Sequence, residues 1–195
     1  MIDNIKHLEG LVSAGLEPNE YVIINSAWLT LMGIRANNDL DLILSSRLWK
    51  SQFSEYPPHK SFGLPGPLNK RIRVHSLNEG NYVNFTDIQS NDEAVYHHRI
   101  VLEGLPFIEP RFYFQYLLAR LKINRDKIKG ISWWRKNLVV SKNTKKMKNK
   151  MAKDIKTVKS LKKYFRSASY KVGFLKHITS AQWGKNCNEL DEIFG

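Results

Sequence analysis

The feature that most constrains the fold is the stretch of residues 21–44, which reads YVIINSAWLTLMGIRANNDLDLIL. It begins with a short run of apolar residues rich in β-branched and aromatic side chains, which predicts a strand. The Asn-Ser pair at 25–26 is typical of a turn and a helix N-cap, and residues 27–32 predict a short helix that Gly33 can end. Residues 39–44 then predict a second strand. The chain is therefore expected to run strand, turn, helix, loop and strand in close succession.

Two carboxylates stand at the start of the second strand. Side chains alternate between the two faces of a strand, so Asp39 and Asp41 share one face while Leu40 and Leu42 point into the core. The two aspartates lie ~7 Å apart along the strand, from the rise of ~3.3 Å per residue, and can converge on one divalent cation. The same pattern is compatible with an exposed edge strand that carries two solvated aspartates.

These residues resemble the signature of the nucleotidyltransferase-fold superfamily. An Asn-Ser turn opens a helix, Gly-Ile-Arg follows at 33–35, and Asp-Leu-Asp-Leu begins at residue 39. The pattern looks like that of the small bacterial and antibiotic-modifying members, and it covers roughly the first half of the chain. The resemblance implies an α/β (α+β) fold with a mixed sheet flanked by helices.

The resemblance also implies a site and a reaction. Asp39 and Asp41 would hold Mg²⁺ or Mn²⁺, Asn25 and Ser26 would hold the terminal phosphates at a helix N-terminus, and Arg35 would neutralise developing charge or fix its loop. The implied enzyme is a metal-dependent nucleotidyltransferase. It moves an NMP group from an NTP to a hydroxyl or phosphate acceptor and releases pyrophosphate.

Residues 44–70 are rich in Pro and Gly and predict a long surface loop. Residues 70–77 then alternate basic and apolar side chains, which predicts a strand. Its inward side chains are Ile72 and Val74, and its outward side chains are Arg71, Arg73 and His75. The two arginines either bind phosphate or are ordinary exposed charges of a half-buried strand.

The superfamily expects a third carboxylate on a strand near the aspartate pair. Residues 82–88 predict a strand that forms a hairpin with residues 70–77, and Asn84 stands where that acid would most naturally lie. Asp87 lies three residues further on and points to the opposite face unless a bulge intervenes. The third catalytic acid is therefore Asp87, or it is missing and catalysis is weakened or lost.

The helix predicted at residues 109–121 has Pro at its first position and an apolar stripe typical of a core helix. Together with the residues that follow, it resembles the close of the nucleotidyltransferase domain, which implies that Arg120 and Lys127 approach the triphosphate. The acid that usually follows this lysine is replaced by Ile128.

Positive charge is concentrated in one segment. Net charge is +13, and residues 135–176 hold fifteen Lys or Arg against a single acid. Apolar residues from 147 to 165 recur at helical spacing, so the lysines occupy the other faces of one long helix. Lys148, Lys156 and Lys163 are the candidate residues for binding a polyanion such as nucleic acid. The alternative is a solvated lysine face that serves solubility, with the acidic end of the chain folded back on it.

Composition bounds the remaining possibilities. The length of 195 residues predicts one domain with an extension, divided into a nucleotidyltransferase-like part at 1–130 and a basic helical part at 131–195. Cys187 is the only cysteine, which favours a reducing compartment. No run of apolar residues is long enough to span a membrane, and the first ten residues lack the apolar core of a signal peptide. A cytoplasmic protein is therefore expected.

A second function is compatible with the same residues. If the site has lost its third acid, the fold would serve as a scaffold, and the lysine-rich helix would bind nucleic acid without sequence preference. No zinc-finger spacing, helix-turn-helix signature or RNP-like aromatic sheet is present to read bases.

Overall fold

The computed structural model describes residues 2–55, 62–63, 71–75, 77, 88–110, 112–113, 116–117 and 142–166. The chain divides into two compact units, Met1–Tyr113 and Phe114–Gly195. The boundary predicted between residues 130 and 131 lies outside the described residues. None of the described helices is long and apolar enough to cross a membrane.

The first unit is built on a six-stranded mixed sheet. Its strands are β1 (Tyr21–Ile24), β2 (Leu40–Leu44), β3 (Phe62–Gly63), β4 (Ile72–His75), β5 (Arg99–Leu102) and β6 (Leu105–Ile108), in the order β3-β4-β2-β1-β6-β5. β1 is antiparallel to β2 and parallel to β6, and β2 is parallel to β4. The mixed α/β class predicted from the sequence is confirmed.

Four α-helices are described: α1 (Leu8–Ser13), α2 (Ala27–Leu31), α3 (Ser46–Gln52) and α4 (Lys142–Arg166), with α4 in the second unit. A short π-helix, Glu93–His97, precedes β5. Only part of the helix expected from residue 109 is described, and the described residues are helical. Among them Phe112, Tyr113 and Leu117 are buried.

The long loop predicted for residues 44–70 is wrong at its beginning, where α3 forms. Ser45 caps this helix, because its hydroxyl accepts a hydrogen bond from the backbone N–H of Leu48 at 3.1 Å. Asp92 accepts a second bond from the backbone N–H of Ser46 at 2.7 Å. These two acceptors satisfy N–H groups that the first turn of a helix leaves without partners. The Pro and Gly residues that suggested a loop lie further along the chain.

α2 is tied to the sheet by Trp28, which is completely buried. Its indole N–H donates to the carbonyl oxygen of Ile108 at 2.9 Å, and its ring lies 5.5 Å from that of Phe107. The apolar body of the ring fills the core while its polar N–H is satisfied, which is the usual condition for burying tryptophan. The short helix therefore packs on β6, the parallel neighbour of β1.

Gly33 ends α2 as predicted. It adopts a left-handed conformation with φ 66°, its N–H donates to the carbonyl of Thr30 at 3.0 Å, and the N–H of Ile34 donates to the carbonyl of Leu29 at 2.9 Å. These two bonds form a Schellman motif, in which glycine takes the left-handed position without steric cost. The motif turns the chain back toward β2.

The end of the sheet where β1 begins is held by a buried carboxylate. Glu20 accepts hydrogen bonds from the hydroxyl of Ser45 and from the guanidinium of Arg47, the latter at 2.6 Å. The Arg47 bond and then the Ser45 bond lower the pKa of Glu20 below its ordinary value of 4.5. Because the folded protein favours the charged form, this cluster stabilises the fold above that pH, and the stabilisation is lost as the pH falls through the lowered pKa.

We predict that Glu20→Gln lowers the free energy of unfolding by about 1–2 kcal/mol at neutral pH, since it removes the charge from two hydrogen bonds. Because Arg47 is exposed and water screens its charge, the loss of unfolding free energy should be closer to the lower value. The difference from wild type should shrink below pH 4.5. Urea unfolding at a series of pH values measures it. The matched control is Glu17→Gln, which changes an exposed side chain. A difference that stays constant down to low pH would contradict this account of the cluster.

Candidate active site

The turn after β1 and the first residues of β2 meet at one end of the sheet. The antiparallel register pairs Ile24 with Asp41, so Asn25 lies beside the start of β2. The side-chain amide of Asn25 donates to Oδ2 of Asp41 at 3.3 Å. Asn25 itself is left-handed, with φ 59°, a conformation that asparagine tolerates better than most residues.

β2 shows the alternation predicted for the aspartate pair. Leu40 and Leu42 are completely buried, whereas the side chain of Asp41 is 16% exposed and that of Asp39 is 25% exposed. β2 lies between β1 and β4 in the interior of the sheet. The alternative interpretation, an exposed edge strand with two solvated aspartates, is therefore wrong.

β4 runs parallel to β2 and brings basic side chains to the two aspartates. In the register, Arg73 is opposite Asp41, and the carbonyl of Arg71 accepts a bond from the N–H of Leu40 at 2.9 Å. Both arginines reach Asp39: Nη1 of Arg71 lies 3.5 Å from Oδ1, and Nη2 of Arg73 lies 3.5 Å from Oδ2. One carboxylate thus lies between two guanidinium groups.

His75 is the residue that sequence reasoning placed incorrectly. It was expected to face solvent, but its side chain is only 2% exposed and its Nε2 donates to Oδ1 of Asp41 at 2.9 Å. The cause is the register, which pairs His75 with Ile43, a completely buried residue of β2. The spacing of residues 71, 73 and 75 shows that they share a face, but only the parallel pairing of β4 with β2 shows that this is the face of Asp41.

Asn37 is a site residue that no sequence pattern indicated. It is completely buried, its Oδ1 accepts a bond from the N–H of Lys6 at 3.0 Å, and its Nδ2 donates to the carbonyl of Asp39 at 3.3 Å. Its own N–H donates to the hydroxyl of Thr30 at 2.8 Å. This network joins the N-terminal segment, α2 and the loop before β2, so it fixes the backbone from which Asp39 projects.

The two other described residues assigned to nucleotide binding, Ser26 and Arg35, make fewer hydrogen bonds than their assignment predicts. Ser26 occupies the N-cap position of α2, but its side chain makes no capping bond. α2 has only five residues, so few aligned peptide dipoles stand behind its N-terminus. Arg35 is half-buried, and its Nε is buried without a hydrogen-bond partner. Its carbonyl accepts a bond from Thr30 at 3.2 Å, which fixes the backbone of the loop.

Several predicted site residues lie outside the described part of the chain. They are Asn84, Asp87, Arg120, Lys127 and Ile128. The third carboxylate therefore stays a prediction. Within the residues that the structure describes, no group of three or more His, Cys, Asp and Glu side chains is placed to hold a metal ion.

The donors at this end of the sheet suit a hard divalent cation. Asp39 and Asp41 supply carboxylate oxygens, which Mg²⁺ and Mn²⁺ prefer. Oδ1 of Asn25 is buried and has no hydrogen-bond partner, although the same side chain contacts Asp41. A buried amide oxygen without a partner costs free energy that a bound cation could recover. The chemistry of these oxygens therefore fits the cation that the resemblance implies.

The second unit contains a separate basic surface on α4. Eight lysines of this helix are exposed: Lys145, Lys146, Lys148, Lys150, Lys153, Lys156, Lys159 and Lys163. Val158 and Leu161 are buried, and so is Asp154, the one acid in the α4 sequence. Two other members of the predicted apolar stripe, Met151 and Ile155, are half-buried, so the stripe is buried only in part where its side chains are described. We call these eight residues the lysine face, and no acid of the helix lies on it.

The chain matches no known protein family, and no curated protein or solved structure is significantly similar to it. The resemblance to the nucleotidyltransferase-fold superfamily therefore depends on the motif of this chain alone. The geometry of Asn25, Asp39, Asp41 and their neighbours on β4 is therefore the basis for a function of the first unit.

We predict that Asn25→Ala destabilises the protein more than Asn25→Gly. Both variants lose the bond to Asp41, but alanine also meets the steric cost of a left-handed backbone, about 1 kcal/mol. The two free energies of unfolding, measured in urea, give the difference directly. Equal stabilities would mean that the turn changes conformation when Asn25 is replaced.

Proposed function

We propose that this protein is a metal-dependent nucleotidyltransferase that moves an NMP group from an NTP to a hydroxyl or phosphate acceptor and releases pyrophosphate. The observation that supports it most directly is the contact between Asn25, in the turn that opens α2, and Asp41, at the start of β2. This contact joins the two halves of the motif at one end of the sheet. Asp39 lies beside them and is partly exposed.

In this proposal Asp39 and Asp41 hold Mg²⁺ or Mn²⁺, with the amide oxygen of Asn25 close by. The cation, when bound, supplies Lewis-acid stabilisation of the charge that develops on the phosphoryl oxygens. His75 and Asn25 orient the Asp41 carboxylate by donating to its two oxygens. Hydrogen bonds that fix a ligating carboxylate are a recurring requirement of such sites.

The remaining steps are assigned to residues of the chain as follows. Ser26 offers its hydroxyl and backbone N–H to the terminal phosphates, and Arg35 neutralises charge or holds the loop. Arg120 and Lys127 are the candidates that the resemblance gives for binding the triphosphate. Asp87 is the candidate for the third carboxylate, which would take the proton from the acceptor hydroxyl as it attacks the α-phosphorus in line.

We predict that Asp39→Asn and Asp41→Asn each lower nucleotidyl transfer by at least about a hundredfold, because each removes a charged ligand and with it several kcal/mol of stabilisation. Release of pyrophosphate from labelled NTPs, screened against RNA, DNA and small metabolites, measures transfer. Nucleotide binding that depends on Mg²⁺ should be lost in parallel. Glu55→Gln, which changes an exposed side chain, is the matched control.

The two variants should differ in stability. Asp39 is paired only with exposed arginines, so Asp39→Asn should change the free energy of unfolding by less than about 1 kcal/mol. Asp41→Asn weakens a bond to a buried histidine and should cost about 1–3 kcal/mol. A variant that unfolds while metal and nucleotide binding persist in the folded fraction would make the pair structural.

A second candidate function is supported by the lysine face of α4. In this alternative the first unit is a catalytically eroded nucleotidyltransferase-fold scaffold, and α4 binds nucleic acid without reading its sequence. The supporting observation is that Asp154 is buried and leaves the lysine face without an acid of its own helix. A surface that only kept the protein soluble would be expected to mix both signs of charge.

We predict that reversing the charge at Lys148, Lys156 and Lys163 weakens binding to single-stranded RNA. These side chains are exposed, so the change should leave the fold intact. Wild-type binding should fall with salt at a log–log slope of about −0.7 per phosphate neutralised. Fluorescence anisotropy over a salt series measures both effects. Reversal of Lys6 and Lys50 in the first unit, compared with reversal of Lys148 and Lys156 alone, controls for total charge. A flat salt response would limit the lysine face to solubility.

A further inference from the structure

Asp39 is held differently from the other acids of the sheet. Its two partners, Arg71 and Arg73, each approach one oxygen at 3.5 Å, and their side chains are 65% and 46% exposed. In contrast, Arg47 approaches Glu20 at 2.6 Å, and the Glu20 side chain is only 9% exposed. All three arginines are exposed, Arg47 at 80%, so the difference lies in the distance and in the acid. The Glu20 pair is short and its acid is buried, whereas both Asp39 pairs are long and the Asp39 side chain is 25% exposed.

Long, exposed ion pairs are weak, because water screens the charges and each flexible side chain loses entropy when it is held. A guanidinium group has five N–H donors, and each arginine directs one nitrogen to Asp39. Among the residues that the structure describes, most of these donors therefore stay available for another anion. Asp39 can exchange its partners at low cost, whereas Asp41 is fixed by the buried His75.

The positions of the two arginines suit a polyphosphate. Arg71 and Arg73 are two residues apart, so they project from one face of β4 and their Cα atoms lie about 7 Å apart. Arginine side chains are long enough for both guanidinium groups to contact neighbouring phosphate groups across that separation. Guanidinium groups also match phosphate oxygens in a bidentate manner, which lysine cannot do.

We propose that Arg71 and Arg73 form a subsite for the polyphosphate of the nucleotide. In the free protein they neutralise Asp39, and when Asp39 takes a cation they turn to the phosphate groups of the substrate. This inference rests on the proposed nucleotidyltransferase function and adds to it the two residues that hold the triphosphate of the NTP in preference to a monophosphate. It also explains why two arginines lie beside a carboxylate that is proposed to bind a cation.

The inference requires two effects of opposite sign in one variant. Replacement of both arginines, Arg71→Gln with Arg73→Gln, frees Asp39 from its competitors. Mn²⁺ binding without nucleotide should therefore become about two- to tenfold tighter. The same variant loses its charged phosphate donors, so affinity for inorganic tripolyphosphate with Mg²⁺ should fall about tenfold or more.

The two measurements are electron paramagnetic resonance of Mn²⁺ and calorimetry with tripolyphosphate, a probe that avoids the choice of base. Wild type should bind tripolyphosphate more tightly than inorganic phosphate. Arg99→Gln is the matched control, because Arg99 is on β5 and donates to the carbonyl of Pro18 instead of to an acid. The variant Arg71→Lys with Arg73→Lys keeps the charge but not the bidentate geometry. Its affinity for tripolyphosphate should lie between those of wild type and the glutamine variant. Thermal unfolding verifies that each variant is folded.

Each outcome is decisive. If wild type binds tripolyphosphate and the glutamine variant binds it equally well, the subsite is overturned while the proposed function stands. If tripolyphosphate binding falls but Mn²⁺ binding does not rise, the exchange of partners at Asp39 is overturned. If wild type binds tripolyphosphate no better than inorganic phosphate, the preference for a triphosphate is overturned. Transfer activity that depends on Asp39 and Asp41 tests the proposed function separately.

Discussion

The hydrogen bonds to Asp41 are the interaction on which this end of the sheet depends. A carboxylate that is mostly shielded from water must be matched by donors, or its desolvation destabilises the fold. Asn25 and His75 provide them, at 3.3 Å and 2.9 Å. To do so, β1 must end in a left-handed turn and β4 must pair with β2 in the observed register. One mostly shielded acid therefore links the turn after β1 to the register of β4.

An acid lies beside each end of β2, and the two acids have different physical roles. At one end Glu20 accepts a short bond from Arg47 and another from Ser45, and it joins β1 to the start of α3. At the other end Asp39 lies between two distant, exposed guanidinium groups. The first arrangement stabilises the fold, whereas the second leaves charges that a ligand can rearrange. The proposed chemistry is placed at the end of the sheet where ion pairs are weak and a partnerless amide oxygen lies nearby.

The lysine face of α4 follows from amphipathic helix geometry. Val158 and Leu161 are three residues apart and lie on one helical face, and the eight exposed lysines occupy other positions of the helix. The sequence shows that the helix has one acid but not whether that side chain faces solvent. In the structure Asp154 is buried, so the lysine face is uniformly basic over the described side chains.

The sequence by itself determined what depends on neighbours in the chain. It predicted β1, α2 and β2, the stop at Gly33 and the burial of Leu40 and Leu42, because turn chemistry and strand alternation act over a few residues. It did not predict α3, which Ser45 caps locally and whose second N-terminal acceptor is the distant Asp92, or Asn37, whose partners include Lys6. Only the tertiary structure decided which strand lies beside β2, and with it the burial of His75 and the arginines at Asp39. The reason is that strand register is set by hydrogen bonds between segments far apart in the chain, and a shift of one residue would turn every side chain of β4 to the other face.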